Sequence, residues 1–351
     1  MKTFDELITQ AAGMRASDIH LSKGRVPSCR VDGDVAAMGE DILTHEDMTV
    51  LAGSLMNDSL KEAFADLGEV DFAYSLEGVG RFRVNVFMQR GSPSIVARLL
   101  NTKIPSPQDI GLPDVVVQLT SKRRGLILVT GATGSGKSTT LATMLNIINT
   151  NTPGHIITLE DPIEYLHPHK KSIVNQREIG NDTKTYASAL RAALRQDPDV
   201  ILVGEMRDLE TISTAITAAE TGHLVFSTLH TVGAANTIDR IIDVFPPHQQ
   251  QQIRTQLADV LECVISQQLL PRSGGTGRVA AMEIMLANSA VRNHIREGKT
   301  FQVASTMQTS RKQGMITMDD AIYELYIKGE VTGEAALLFA QDRATLGKKI
   351  M

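Results

Sequence analysis

A glycine-rich stretch, Gly-Ala-Thr-Gly-Ser-Gly-Lys-Ser at residues 131–138, constrains this chain more than any other part of its sequence. An apolar, β-branched run at 126–130 precedes it, and residues 139–148 carry apolar side chains at helical spacing. A strand, a glycine-rich turn and a helix in that order form a phosphate cradle, because glycines let backbone N–H groups converge at the helix N-terminus. The sequence therefore predicts a nucleotide site at this turn.

The predicted cradle gives each of its residues a role in binding. Lys137 is expected to reach the β- and γ-phosphates, and the Ser138 hydroxyl is expected to join the coordination shell of Mg²⁺. The predicted cofactors are ATP and Mg²⁺. The predicted nucleotide-binding residues are Gly131, Ala132, Thr133, Gly134, Ser135, Gly136, Lys137, Ser138 and Thr139.

Composition narrows the class of protein. The 351 residues are enough for two domains, and no apolar run approaches the roughly 20 residues that span a bilayer. The N-terminus lacks the apolar region of a signal peptide, so a cytoplasmic location is expected. A net charge of −5 and 4% aromatic residues argue against nucleic acid as a partner. Cys29 and Cys263 are too few for a zinc site and are expected to be buried thiols.

The pattern of predicted elements divides the chain in two. Residues 1–100 read as a small α+β domain, and residues 101–112, which are polar and contain Pro105 and Pro107, read as a linker. From 113 to 351 strands alternate with helices, which predicts an α/β fold with a parallel sheet covered on both faces. Strands are predicted at 125–130, 156–160, 200–203 and 224–228, and a later strand pair at 264–270 and 277–285.

An acidic residue follows one of these predicted strands. Four apolar residues at 200–203 precede Gly204 and Glu205, so the strand delivers Glu205 to the carboxyl edge of the sheet. Ligands bind at that edge in open α/β sheets. Glu205 is therefore predicted to lie near Mg²⁺ together with Ser138, with contact through water.

A second acidic run also follows a predicted strand. The run contains three acidic residues on either side of Pro162: Glu160, Asp161 and Glu164. Their carboxylates could polarise an attacking water. Glu164 is chosen as the general base, with Glu160 as a structural acid or a member of the Mg²⁺ shell. The residues alone leave the order of these two glutamates nearly even.

Histidines bracket the strand predicted at 224–228. His230 is predicted to sense the γ-phosphate, and the role of His223 is left open. His167 and His169 could suggest a metal, but no acid or cysteine nearby completes a ligand set, so a solvated loop is predicted.

Arginine is needed to neutralise the charge that develops on a γ-phosphoryl group. Arg81 and Arg83 lie on an alternating strand of the N-terminal domain and are expected to share one face. Arg191, Arg195 and Arg207 are further candidates.

Taken together, these motifs identify a resemblance. The chain resembles the type II/IV secretion ATPase superfamily and, within it, the twitching-motility ATPases of type IV pili. The resemblance rests on the glycine-rich loop, which is similar to the Walker A motif, and on residues 158–165, 199–208 and 222–231, which are similar to the Asp box, Walker B motif and His box. Residues 16–21 and 80–85 resemble the family's N-terminal domain.

The resemblance implies a smaller PAS-like α+β domain followed by a RecA-like ATPase domain, assembled as a homohexamer that couples ATP hydrolysis to pilus retraction. It implies that Glu164 is the catalytic glutamate, that Glu205 is the Walker B acid, and that Arg81 or Arg83 lines the nucleotide site. It also implies an inner-membrane pilus platform protein as partner, and a peripheral location at the inner face of the cytoplasmic membrane.

Residues 290–297 are similar to the family's retraction motif, from which Val291 and His294 depart. An accessory, PilU-like retraction ATPase, which is also a possible partner of the ring, therefore stays open as an alternative. Assembly and secretion ATPases of the superfamily usually carry a longer N-terminal region and a tetracysteine zinc site, so the sequence favours retraction. A type II secretion or pilus assembly ATPase stays open as a further alternative. Rival classes are a nucleic-acid motor, which acidic charge opposes, and a scaffold that binds ATP without hydrolysing it.

Overall fold

The structure, a computed structural model, describes residues 2–31, 33–100 and 103–350. The chain divides into two compact units: Met1–Lys103 together with Pro162–Leu166, and Ile104–Asp161 together with His167–Met351. Of the predicted linker at 101–112, Asn101 and Thr102 lie outside the described residues. Leu112, at its other end, is 7% exposed and packs in the core of the second unit. The predicted domain boundaries stay a prediction.

An antiparallel six-stranded sheet forms the first unit, in the order β3-β2-β1-β6-β5-β4. Its strands are β1 (Asp18–Leu21), β2 (Ser28–Val31), β3 (Asp34–Ala37), β4 (Glu69–Leu76), β5 (Gly80–Gln89) and β6 (Ser92–Leu100). Three helices accompany it: α1 (Phe4–Gly13), α2 (His45–Leu55) and α3 (Asp58–Leu67).

The helices of the first unit begin at strong sequence signals and bury one face. Thr3 with Glu6, and Thr44 with Asp47, form capping boxes that satisfy the free N–H groups at the starts of α1 and α2. The apolar stripe of α1 packs in one core with α2 and with inward side chains of the sheet. This core includes Ile8 of α1, Met48 of α2, and Leu21, Phe82, Val84 and Ile95 of the sheet. This packing makes the unit an α+β fold.

A seven-stranded sheet forms the second unit, in the order β13-β12-β7-β11-β10-β8-β9. Its strands are β7 (Gly125–Thr130), β8 (His155–Glu160), β9 (Ile173–Glu178), β10 (Val200–Val203), β11 (Leu224–Leu229), β12 (Leu261–Pro271) and β13 (Arg278–Leu286). Neighbouring strands are parallel except β13, which runs antiparallel to β12.

Helices cover both faces of this sheet. They are α4 (Asp114–Leu119), α5 (Lys137–Asn151), α6 (Tyr186–Ala193), α7 (Leu209–Glu220), α8 (Ala234–Asp243), α9 (Pro247–Val260), α10 (Ser289–Arg296), α11 (Val303–Thr309), α12 (Met318–Ile327), α13 (Gly333–Phe339) and α14 (Arg343–Ile350). Alternate residues of β7 enter different cores: Leu126 and Leu128 pack with α7, whereas Ile127 and Val129 pack with α5. β7 is therefore buried on both faces, and residues 126–129 are apolar at every position.

The predicted succession of an α+β unit and a parallel-sheet unit is confirmed. β7 and β10 begin and end where the sequence predicts. The predicted strand pair is also present: β12 is longer than predicted, and β13 is shifted by one residue. The elements that the sequence did not predict include α3, α4, α8 and β9. Edge strand β9 was missed because its residues are largely polar, with Ile173 and Asn175 exposed.

Candidate functional site

Parallel order brings the predicted motifs to one edge of the second sheet. β7, β11, β10 and β8 are neighbours in that order, and each is followed at its carboxyl end by polar residues. The glycine-rich loop follows β7, Asp161 follows β8, Glu205 follows β10 and His230 follows β11. Separate segments of the chain thus converge at the edge where ligands of open α/β sheets bind.

The glycine-rich loop has the backbone of a phosphate cradle. Gly136, with φ of +89°, is the residue before α5, and Gly131 has φ of +140°, a conformation that suits only glycine. The Lys137 side chain folds back, and its Nζ donates to the carbonyls of Gly131 at 2.9 Å and Ala132 at 3.0 Å. The buried Ser135 hydroxyl has no hydrogen-bond partner among the residues that the structure describes. The loop therefore presents an amine, a hydroxyl and a helix N-terminus in a concave turn.

Glu205 lies at the end of β10 and is paired on two sides. Arg207 Nε lies 2.6 Å from its Oε1, and His230 Nε2 lies 3.4 Å from its Oε2. Partial burial would raise the pKa of Glu205, but the hydrogen bond from Arg207 and the neighbouring His230 outweigh it and lower the pKa. The carboxylate is therefore ionised at neutral pH.

His230 connects this carboxylate to the glycine-rich loop. Its Nε2 faces Glu205, and its Nδ1 lies 3.4 Å from the Thr133 hydroxyl. One imidazole thus contacts both the loop that would hold phosphate and the acid next to it. This geometry suits a residue that responds to the presence of a γ-phosphate.

Two residues at this edge were missed by the sequence reasoning. Tyr186 packs against Gly204 so closely that a Cβ there would lie 2.9 Å from the phenol oxygen. Burial, together with the carboxylates of Asp161, Glu160 and Glu205, raises the pKa of Tyr186. Gln267 of β12 lies behind the glycine-rich loop. Neither belongs to a motif, although the glycines that they approach are an indirect signal of close contact.

Two cavities flank Glu205 and Arg207. One, of about 300 Å³, extends past His230 to Arg240. The other, of about 420 Å³, extends past Tyr186 to Asp161. Open space therefore reaches the paired carboxylate from two directions.

The two glutamates of the second acidic run are in different surroundings. Glu160 ends β8, and its Oε1 accepts hydrogen bonds from the Thr158 hydroxyl at 2.6 Å and from Gln176 Nε2 at 3.1 Å. Such bonds suit a structural acid. Glu164 is exposed and lies in Pro162–Leu166, which belongs to the first unit. Its role as general base stays a prediction.

The candidate arginines are spread over both units. Arg81 and Arg83 point from the same face of β5, and Arg83 Nε bonds to Asp71 at 2.8 Å. In the second unit, Arg191 is ion-paired with Glu210 on the surface. Arg207 is the candidate that contacts Glu205.

The other histidines lie away from the glycine-rich loop. His223 stands at the start of β11, the opposite end of the strand from His230, where its Nδ1 lies 2.9 Å from the Ala218 carbonyl. These contacts are local, and the role of His223 stays open. The prediction of a solvated loop at His167 and His169 is wrong for His167, which is buried, and burial lowers its pKa to about 4. His169 is exposed, and its Nδ1 accepts from the Val174 N–H at 3.0 Å.

The residues at the sheet edge fit Mg²⁺ held together with a nucleotide. Within residues 2–31, 33–100 and 103–350, no cluster of three histidine, cysteine or acidic side chains forms a metal site. Mg²⁺ needs no such cluster, because it binds through one or two protein oxygens plus phosphates and water. Ser138, half-buried in the first turn of α5, and ionised Glu205 offer the hard oxygen donors that this cation prefers.

A parallel sheet with a glycine-rich loop after β7, an acid after β10 and a bridging histidine after the strand between them, β11, defines a P-loop protein. Comparison with known proteins then identifies the family: the chain belongs to the type II/IV secretion system proteins, whose pattern matches residues 1–337. The predicted fold class, a RecA-like ATPase domain after a smaller α+β domain, is confirmed by the solved structures of this family.

Within the family, the chain is similar to pilus motors. It is 49% identical over 331 residues to the type IV pilus retraction ATPase PilT of Pseudomonas aeruginosa, covering 94% of this chain and 96% of that protein. It is 41% identical over 339 residues to the type IV pilus ATPase PilU of the same organism, with 97% and 89% covered. A crystal structure of the pilus retraction motor PilT with bound ADP superposes with a TM-score of 0.93 at 50% identity, covering 99% of this chain and all of that one.

Proposed function

We propose that this chain is a hexameric ATP-hydrolysing motor that retracts type IV pili for twitching motility. The observation that carries the proposal is the 49% identity to a pilus retraction ATPase along nearly the whole of both chains. The site supports it, because the glycine-rich loop, Glu205 and His230 form a connected set in the second unit.

In this proposal each residue at the sheet edge has a distinct task. The backbone N–H groups of 131–138 and the Lys137 amine bind the phosphates, and Lys137 exchanges its bonds to the Gly131 and Ala132 carbonyls for phosphate oxygens. Ser138 and Glu205 would hold Mg²⁺, which neutralises charge on the phosphates when bound. His230 reports the state of the γ-phosphate through Thr133 and Glu205.

The remaining roles come from the resemblance. Glu164 takes the proton of the attacking water, and its exposed carboxylate is free to do so. Arg81 or Arg83 contributes positive charge toward the γ-phosphoryl group. The motor works at the inner face of the cytoplasmic membrane on an inner-membrane platform protein. Among the described residues, no helix is both long and apolar enough to cross a bilayer, so this partner would provide the attachment.

Replacing Glu205 by glutamine tests the enzymatic part of the proposal. The change removes the negative charge and leaves the shape, so phosphate release from Mg-ATP is expected to fall at least about a hundredfold. Glu210→Gln is the matched control, because Glu210 is an exposed residue paired with Arg191. Equal rates for Glu205→Gln and the parent would show that the site is misassigned.

Counting surface pili on cells that lack only this chain tests the biological part. A surplus of pili with loss of twitching is expected for a retraction motor. Bald cells would contradict the proposal and indicate an assembly ATPase.

One observation favours the accessory, PilU-like role as a second candidate. His294 links α10 to α11 through a 3.1 Å contact between its Nε2 and the Thr306 hydroxyl, at a position of the retraction-like motif where the family carries leucine. Normal pili with altered motility in the deletion strain would support this role, and His294→Leu would then be the first reversion to make.

A further inference from the structure

Gln267 has an unusual position for a buried amide. It lies on β12 between Ser266 and Gln268, and the residue is 3% exposed. None of the roles assigned above uses it. A buried amide is costly unless its polar atoms find partners, so its contacts indicate what it stabilises.

The side-chain oxygen of Gln267 accepts a hydrogen bond from the first turn of α5, the helix that follows the glycine-rich loop. The Thr140 hydroxyl donates to Gln267 Oε1 at 2.8 Å, and both residues are buried. Thr140 lies in α5 just after Lys137 and Ser138, so this bond connects β12 to the turn that would face the phosphates.

The same glutamine also supports the loop itself. A Cβ added at Gly136 would lie 2.9 Å from the Gln267 Nε2. A Cβ added at Gly131 would lie 2.3 Å from the main-chain oxygen of Gln267. Gln267 therefore abuts the first and the last glycine of the cradle as well as the helix that follows. Any shift of its side chain changes the space in which the loop closes.

We infer that Gln267 is a positioning residue that holds the P-loop in its phosphate-accepting shape. The inference rests on the proposed ATPase function. Gln267 does not touch the nucleotide in this account and acts through Thr140 and the loop glycines. Preorganised N–H donors bind an anion more tightly than donors that must first be ordered, so the expected effect of losing the amide is weaker phosphate binding.

Gln267→Met tests this, because methionine has a similar size and lacks the amide. The dissociation constant for Mg-ADP is expected to rise about fivefold, the usual contribution of one hydrogen bond. Gln268→Met is the matched control, since the next residue of β12 points to the other face of the strand. The inference is overturned if both variants bind Mg-ADP as the parent does.

Substitutions of Thr140, the donor of the hydrogen bond to Gln267, distinguish a positioning role of Gln267 from a general contribution to stability. Thr140→Val removes the same bond and is expected to weaken Mg-ADP binding to the same extent, whereas Thr140→Ser keeps the hydroxyl and restores it. The double variant Gln267→Met/Thr140→Val is expected to bind no more weakly than either single variant. Additive losses would overturn the inference, and the Thr140 pair keeps the test decisive if Gln267→Met does not fold.

The parent protein separates this inference from the proposed function. If the parent neither binds Mg-ADP nor releases phosphate from Mg-ATP, the proposed function fails. If the parent does both and Thr140→Val behaves like Thr140→Ser, only the role of Gln267 fails.

Discussion

Replacing Gly131 by alanine tests how closely the P-loop packs on β12. At Gly131 the new methyl group would lie 2.3 Å from the main-chain oxygen of Gln267 and 2.7 Å from the Ser135 hydroxyl. Backbone cannot move aside as a flexible side chain can, so the strand or the loop must shift. The φ of +140° adds strain of its own, because a Cβ disfavours this region.

Gly134 provides the control for backbone strain without the clash. Its φ is +77°, and an added Cβ would meet nothing within 4 Å. Gly134→Ala is expected to cost about 1–2 kcal/mol, the penalty of a left-handed conformation. Gly131→Ala carries a similar penalty plus about 1–3 kcal/mol for overpacking.

The difference in stability between the two variants is measured as a difference in melting temperature. The melts are made without nucleotide, so that contacts with phosphate do not contribute. With about 2–4 °C per kcal/mol for a domain of this size, Gly131→Ala is expected to melt about 2–12 °C below Gly134→Ala. Melting temperatures that agree within about 1 °C would refute the close approach of Gln267 and, with it, the packing argument for this glycine.

Two further predictions concern histidines. His230→Ala removes the contacts to Glu205 and Thr133 and is expected to lower kcat for ATP hydrolysis about tenfold or more. The control, His223→Ala at the opposite sheet edge, is expected to leave kcat unchanged. Equal losses of kcat in the two variants would contradict the sensor role. Burial lowers the pKa of His167 to about 4, so below pH 6.5 the unfolded chain binds a proton that the folded chain does not. The free energy of unfolding is therefore expected to fall by about 2 kcal/mol from pH 8 to pH 5. Thermal melts over this pH range should show a smaller loss of stability for His167→Gln than for the His169→Gln control. An unchanged slope in His167→Gln would rule out the buried neutral imidazole.

The sequence predicted those strands of the second unit that combine an apolar run with a functional motif directly after it. β7 and β10 are short apolar runs followed at once by polar motifs, so their bounds and their functional ends coincide. Parallel pairing then brings those ends together, and for this reason the glycine-rich loop, Glu205 and His230 could be grouped before any coordinates were known.

What the sequence could not predict depends on contacts between distant segments. Gln267 lies inside a strand that carries no motif, and only the fold brings it behind Gly131 and Gly136. His167 was assigned to a solvated loop because no nearby acid or cysteine completes a metal ligand set, yet it is 9% exposed. In both cases tertiary packing decides the environment, and local composition carries no signal of it.

The order of strands in both sheets constrains how the chain folds as it leaves the ribosome. In the first sheet Ile19 pairs with Ala97, and in the second Ile127 pairs with Cys263. Such long-range pairing is slow to form and leaves strand edges open until the partner has been made.

A nascent chain that ends before β12 therefore exposes one edge of β7, whose Leu126 and Leu128 are fully buried in the finished protein. The first unit also incorporates Pro162–Leu166, so it is complete only after translation has entered the second unit. The two units consequently mature in overlapping stages of synthesis, and truncated products of this chain are expected to aggregate unless chaperones hold them.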